Sequence, residues 1–211
     1  MLPYSNFMYF YIMILVLIPA IVMGLLGKRI KWYGLPVSLY MIYLTFGNSK
    51  QQAKFLILFF LMEFLLIIIY SYVIKKFKQK WLLWIIVLIG ISPLIYSKTS
   101  NIFMHRELGF LGISYLTFKI IQMLIQIYDG YITKINIFDL IYFILFFPTL
   151  SSGPIDRSIR FMEESNKALG TRQYIEYLGE GIYKILQGVG YKFLIGYYIQ
   201  KHFINILLLN Q

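Results

Sequence analysis

The amino-acid sequence predicts an all-α fold, a polytopic membrane helix bundle with an amphipathic interfacial helix. Hydrophobic residues make up 59% of the 211 residues and charged residues only 14%. In soluble domains about 45–50% of the residues are apolar and about 25% are charged. The apolar residues also occur in long uncharged runs, and short basic clusters separate these runs. This pattern is typical of helices that cross a bilayer and are oriented by basic loops.

Residues 1–154 are predicted to form about five to six transmembrane spans or re-entrant pieces. The clearest span is Phe7–Gly27, which contains no charge and has the length that a helix needs to cross a bilayer. Pro19 is expected to kink it. The later apolar runs are Phe55–Ile74, Trp81–Ser97, Leu108–Tyr128 and the shorter Ile137–Leu150.

The run Trp32–Gly47 is ambiguous, because Gly34-Leu35-Pro36 predicts an interruption near its start. It is either a broken span or a re-entrant piece, and irregular backbone is tolerated there only inside protein or beside a cavity. The basic clusters Lys28–Lys31 and Lys75–Lys80 favour the cytoplasm. Both clusters lie there if Trp32–Gly47 crosses and the N-terminus is outside.

Residues 155–187 change character and are predicted to form an interfacial amphipathic segment. Apolar residues from Tyr174 to Leu186 recur at helical spacing, while charges recur every four residues on the opposite face. Glu180 and Lys184 form a favourable i,i+4 pair there. Residues 188–211 are apolar again and are predicted to form a further membrane helix. The sequence stops within this apolar pattern, at Gln211.

The composition argues against several kinds of site and partner. The chain contains no cysteine, so a disulfide framework, a thiolate nucleophile and a cysteine zinc site are excluded. Its two histidines, His105 and His202, are far apart in the sequence, and no metal site is predicted. The net charge of +11 resides in clusters between apolar runs, which indicates a lipid bilayer rather than nucleic acid as the partner.

Two ionisable residues, Glu63 and Lys119, lie within apolar runs. Charges at membrane depth are costly and usually face a partner or a wet cavity. Glu63 is therefore either a proton relay or substrate contact, or a structural hydrogen-bonding group between helices. Lys119 is expected to pair with Glu63 or another acid, or to extend its long stem to the interface.

The stretch FFPTLSSGPIDR, Phe146–Arg157, concentrates helix breakers and opposite charges at the end of an apolar run. Its two prolines disfavour helix, and its serines can satisfy the backbone groups that are freed. Such polar groups are expensive at membrane depth unless protein encloses them. The stretch therefore predicts a structured turn, and its candidate residues are Pro148, Ser152, Gly153, Pro154, Asp156 and Arg157.

This stretch, with GISYLTFK (Gly112–Lys119) before it and GIYKILQGVGYKFLIGYYI (Gly181–Ile199) after it, resembles the membrane-bound O-acyltransferase superfamily in its D-alanyl transfer branch. The resemblance spans essentially the whole chain but only about the N-terminal half of a family protein. It implies a multi-pass acyltransferase of a Gram-positive bacterial cell membrane, with a tunnel through the bilayer. For the six candidate residues of the turn it implies a structural or tunnel-shaping role.

The resemblance also implies a donor, an acceptor and partners. D-alanine would arrive as a thioester on the phosphopantetheine arm of a D-alanyl carrier protein, with no cofactor bound by the chain itself, and would end on teichoic acid hydroxyls. Other membrane subunits of the D-alanylation system are expected partners, and the amphipathic segment fits the family's cytoplasmic face, where the carrier would dock. The family's catalytic histidine would fall beyond Gln211, and neither His105 nor His202 matches it, so the chain alone is expected to be inactive.

Two other functions stay open at this point. One is a multi-spanning transporter or channel with Glu63 and Lys119 on its pathway, although paired broken segments in two symmetric halves are not evident. The other is a non-catalytic membrane scaffold that binds the carrier.

Overall fold

The fold of the described residues is entirely helical. The computed structural model describes residues 7–104, 109–150, 157–199 and 201, and no strand occurs among them. Three of their helices are long and apolar enough to cross a membrane, namely Met8–Leu25, Lys50–Lys76 and Lys80–Ser100. The prediction of an all-α membrane helix bundle is confirmed.

The first six helices follow the apolar runs of the sequence. In chain order they are α1 (Phe7–Leu25), α2 (Lys31–Phe46), α3 (Lys50–Lys76), α4 (Lys80–Met104), α5 (Ile113–Tyr128), α6 (Ile137–Leu145), α7 (Ser158–Asn166), α8 (Thr171–Gly190) and α9 (Gly196–Ile199). A 3₁₀ turn occupies Phe147–Thr149, and a π-helical segment, Tyr191–Ile195, precedes α9. The described residues fall into two compact units, one within 1–21 and 29–167 and the other within 22–28 and 168–211.

Helix α5 lies at the centre of the first unit. It packs against α3, α4, α6 and α7, and its side chains Leu116, Met123 and Leu124 are almost wholly buried. With the buried Ile120 and Ile127 they give the three- and four-residue spacing of one helix face. Glycine at position 112 has a φ of 92°, a left-handed conformation that a helix does not continue through. For this reason α5 begins at Ile113, later than the predicted Leu108.

The outer surface of the first unit is apolar. On α3, Phe59, Ile67 and Tyr70 are buried, whereas Leu61 and Leu65 on the opposite side are about half exposed. An exposed apolar surface that follows a helix of this length would be unfavourable in water. It indicates that the first unit is surrounded by lipid, in agreement with the composition.

Helix α2 is continuous, so the predicted interruption at Gly34-Leu35-Pro36 is wrong. Pro36 lies in the second turn, where its missing N–H removes only the hydrogen bond to the carbonyl of Trp32. Gly34 is used for packing, because an ideal Cβ at this position would lie 2.1 Å from the Tyr142 hydroxyl oxygen. Helix α1 is also continuous through Pro19.

The predicted amphipathic segment contains two separate helices, α7 and α8, rather than one. Helix α8 belongs to the second unit and has no buried residue, and its Glu180–Lys184 pair forms at 4.0 Å. Within that unit Tyr174 packs against Gly24, and the Thr171 hydroxyl donates to the Leu25 carbonyl at 3.1 Å. The division into domains 1–154, 155–187 and 188–211 stays a prediction.

Candidate functional site

The segment from α6 to α7, termed the 137–166 segment, begins and ends at one point of the first unit. Asp139 in the first turn of α6 accepts a hydrogen bond of 3.1 Å from the side-chain amide of Asn166, the last residue of α7. The nine residues of α6 rise only about 14 Å, less than half of the ~30 Å hydrocarbon thickness. Helix α6 alone is therefore too short to cross the bilayer, and the two described parts of the segment, 137–150 and 157–166, have their outer ends together.

The base of the 137–166 segment is a buried ion pair between Lys31 of α2 and Asp139, whose side chains are 8% and 10% exposed. Asn166 completes the pair, because its Oδ1 accepts from the Lys31 ammonium at 3.2 Å while its Nδ2 donates to Asp139. Nδ2 also donates to the Met162 carbonyl at 2.8 Å. A buried ion pair is tolerated when further hydrogen bonds satisfy it in this way. The pair fixes both ends of the segment to the start of α2.

Lys119 of α5 holds the end of α6. Its ammonium group donates to the Phe143 carbonyl at 2.6 Å and to the Thr149 hydroxyl at 2.9 Å, and only 1% of the residue is exposed. In a continuing helix the Phe143 carbonyl would accept from the amide of Phe147. That amide instead donates to the Ser38 hydroxyl of α2 at 3.4 Å. Lys119 and Ser38 thus satisfy the two backbone groups that are freed where α6 stops.

Helix α7 is anchored to the same core. The hydroxyl of Ser158, which is fully buried, donates to the side-chain carbonyl of Gln126 on α5. Phe161 packs its ring 5.1 Å from the ring of Tyr142 and 5.0 Å from the ring of Phe146. These contacts, with those of Lys119 and Lys31, tie the 137–166 segment to both α2 and α5.

Only two of the six candidate residues of the turn lie among the described residues. Pro148 is half-buried in the 3₁₀ turn, as expected from its helix-breaking ring, and Arg157 is exposed at the N-cap position of α7. Ser152, Gly153, Pro154 and Asp156 lie outside the described residues, and so do His105 and His202. The role predicted for the turn stays a prediction.

Glu63 and Lys119 do not meet. Glu63 is fully buried on α3, and neither of its carboxylate oxygens has a hydrogen-bond partner among the described residues. The carboxylate packs against α4, where an ideal Cβ on Gly90 would lie 3.5 Å from Oε2. The described residues therefore provide no hydrogen bond of the structural kind expected of Glu63, and its role stays a prediction. Lys119 is too deeply buried to reach an interface, so the expectation that its stem extends there is wrong.

The residues that hold the 137–166 segment were mostly missed by the sequence analysis. Lys31, Asp139 and Asn166 are far apart in the chain, and their spacing carries no local periodicity. Ser38 and Thr149 are ordinary small polar residues in apolar runs, a weak signal. Within the described ranges, no three histidine, cysteine, aspartate or glutamate side chains come close enough to hold a metal ion.

The chain resembles three curated proteins, each named teichoic acid D-alanyltransferase, while no protein-family model matches it. The protein of Bacillus subtilis (strain 168) is 38% identical over 213 residues, which cover 97% of this chain and 54% of that protein. The protein of Lacticaseibacillus rhamnosus is 35% identical over 92% of this chain and 50% of its own length. The protein of Streptococcus thermophilus (strain ATCC BAA-250 / LMG 18311) is 31% identical over 92% of this chain and 47% of its own length.

The similarity extends along nearly the whole of this chain, including the 137–166 segment and α5, which holds it. The chain spans about half the length of the curated relatives it matches. The chain is therefore a homologue of proteins named teichoic acid D-alanyltransferase, and it corresponds to about half of each.

Proposed function

We propose that the chain is the N-terminal half of a multi-pass, membrane-bound O-acyltransferase that moves D-alanine onto the hydroxyls of teichoic acid in a bacterial cell membrane. The observation that carries this proposal is the identity of 31–38% over 92–97% of the chain to three relatives with one name. The membrane helix bundle supports it, because a transfer across the membrane requires an enzyme embedded there.

The proposed reaction is a transesterification. The donor is D-alanine held as a thioester on the phosphopantetheine arm of a carrier protein. A teichoic acid hydroxyl oxygen attacks the carbonyl carbon, a C–O bond forms, the C–S bond breaks, and the hydroxyl proton ends on the released thiol. We assign no catalytic residue within residues 1–211, and we expect these residues alone to be inactive.

In this proposal the 137–166 segment shapes the passage for the activated amino acid. A backbone turn inside a membrane protein must find its hydrogen bonds within the protein. Lys119 and Ser38 provide them at the point where α6 ends, next to Pro148. They would fix the position from which the chain enters the remainder of the predicted turn, Phe146–Arg157. Lys119 is thus a positioning residue, and the carrier protein and other membrane subunits are proposed partners.

The experiment measures D-alanine esters on teichoic acid in a Gram-positive strain whose own transferase gene is deleted. The full-length protein is expected to restore the esters, whereas Lys119→Met is expected to lower them at least tenfold, because the Phe143 carbonyl and Thr149 lose a charged donor. Lys54→Met, which removes an exposed lysine of α3, is the matched control and should restore them fully.

Three arms complete the experiment. Membrane levels of each variant are measured, so that loss of protein is distinguished from loss of transfer. Residues 1–211 expressed alone should give no esters. Failure of the full-length protein to restore esters would refute the proposed function, and full restoration by Lys119→Met would refute the positioning role.

A further inference from the structure

A cleft of about 200 Å³ lies between the last turn of α3 and the loop that follows α5. Its floor is apolar and includes the buried residues Ile74, Ile127 and Ile132. Lys75 and Lys78 line its rim together with Thr133. We call it the basic cleft. It belongs wholly to the first unit and is separate from the 137–166 segment.

The two lysines of the basic cleft are free to meet an anion. The Lys75 ammonium lies 5.7 Å from the ring centroid of Tyr72, and the Lys78 ammonium lies 5.8 Å from that of Tyr128. Within the part of the chain that the structure describes, no carboxylate forms an ion pair with either ammonium. The aromatic rings hold the charges at the rim but do not neutralise them.

The surroundings place the basic cleft at the depth of lipid headgroups. Lys76 and Lys80 add two further charges within the same six residues, 75–80. Trp81 and Trp84, which follow at the start of α4, are 59% and 61% exposed. Exposed tryptophans beside a basic cluster at the end of an apolar helix mark the membrane–water interface. A ligand at this depth is in contact with both the headgroups and the hydrocarbon.

We propose that the basic cleft binds the phosphate of an anionic phospholipid headgroup. The two ammonium groups would pair with the phosphate, and the isoleucine floor would receive the glycerol and the first methylene groups. Basic pockets between membrane helices bind anionic headgroups by this combination of charge and apolar surface. Inorganic phosphate has the same charge but no apolar part, so it would use the rim alone. The inference does not depend on the proposed transfer reaction.

The test counts lipids retained on the full chain by native mass spectrometry after extraction into detergent. The unaltered chain is titrated separately with dioleoyl phosphatidylglycerol, with dioleoyl phosphatidylcholine, and with phosphatidylglycerol in the presence of inorganic phosphate. We expect phosphatidylglycerol to be retained, phosphatidylcholine to be lost, and inorganic phosphate not to compete beyond sodium chloride of equal ionic strength. Equal retention of the two lipids would overturn the proposal. Specific displacement of the lipid by inorganic phosphate would overturn the lipid assignment and indicate that the basic cleft binds a free anion.

Variants then assign the binding to the basic cleft. The double variant K75Q/K78Q is expected to lose roughly tenfold in affinity for phosphatidylglycerol, and K75R/K78R is expected to keep it. The control K50Q/K54Q removes two exposed lysines from the opposite end of α3 and should bind as the unaltered chain does. Equal losses in K75Q/K78Q and K50Q/K54Q would overturn the assignment. The lipid and phosphate titrations use the unaltered chain, so they decide even if K75Q/K78Q does not fold.

Discussion

Lys31, Asp139 and Asn166 show how single residues can hold the two ends of a segment together. Each charge is almost buried, and each is satisfied by the other and by one side-chain amide. The net contribution of such a pair to stability is small, because desolvation offsets its Coulomb energy. Its energetic importance appears only when one partner is removed, since the remaining charge is then buried and unpaired.

Asp139→Ala is expected to destabilise the protein by about 3–5 kcal/mol, because it leaves the Lys31 ammonium without its counter-charge. Unfolding in mixed detergent and dodecyl sulfate micelles measures the change. The double variant Lys31→Met with Asp139→Leu should recover most of the loss, since two apolar side chains replace the pair. A double variant as unstable as Asp139→Ala would contradict this account.

The matched control removes a charge from an exposed pair. Glu180 and Lys184 on α8 are 4.0 Å apart, with side chains 66% and 74% exposed. Exposed pairs contribute about 0–1 kcal/mol, so Glu180→Ala should change the free energy of unfolding by less than Asp139→Ala. Similar losses in the two variants would mean that burial of the Lys31–Asp139 pair has no energetic role.

The contact between α2 and α6 depends on a missing side chain. Gly34 faces Tyr142, and an ideal Cβ would approach the Tyr142 hydroxyl oxygen to 2.1 Å. The tyrosine ring cannot move away easily, because it is buried between Phe146 and Phe161. Gly34→Ala is therefore expected to cost about 1–3 kcal/mol through overpacking, measured by the same unfolding experiment.

Two comparisons separate overpacking from the general effect of alanine in a helix. In a Tyr142→Leu background, Gly34→Ala should cost much less, since the colliding ring is gone. Gly179→Ala on α8, where no atom lies within 4 Å, should be neutral or slightly stabilising, because alanine favours helix over glycine. An equal cost of Gly34→Ala in both backgrounds would contradict the predicted collision.

The sequence predicted the long helices well because their signal is local. Runs of apolar residues such as Phe55–Ile74 determine α3 without reference to the rest of the chain. The run Ile137–Leu150 was predicted too long, because α6 already ends at Leu145, before Pro148. The partners of Lys119 could not be predicted, because they are a backbone carbonyl and a threonine hydroxyl, which have no charge pattern. The continuity of α2 was missed because the propensities of Gly34 and Pro36 are outweighed by packing.

At the scale of the first unit, the basic residues gather where helices end. Lys75 and Lys78 at the end of α3 line the same cleft as Gly130 and Thr133, which follow α5. The end of α3 and the end of α5 are therefore on one side of the bundle, and α3 and α5 run in the same direction. The chain returns between them through α4, which packs against both. This arrangement agrees with the alternation of spans that the apolar runs predict.

Cysteine labelling from one side of the membrane tests this topology. Residues 1–211 contain no cysteine, so a single introduced thiol in this region reports its own position. Lys76→Cys and Lys134→Cys are expected to react with a membrane-impermeant maleimide from the same side, and Asn48→Cys from the other side. All three positions are exposed in the structure, so access to the thiol depends on the side and not on burial.

The expected pattern follows from helix length and from the cleft. The 27 residues of α3 rise about 40 Å, more than the ~30 Å hydrocarbon thickness, so Asn48 and Lys76 must be on opposite sides if α3 spans the membrane. Lys134 lies between Thr133 and Ile135 in the loop that lines the basic cleft with Lys75, and it must share the side of Lys76. Labelling of Lys134→Cys together with Asn48→Cys would contradict the direction of α5. Since the positive-inside rule places the Lys75–Lys80 cluster in the cytoplasm, only Asn48→Cys should react in intact cells.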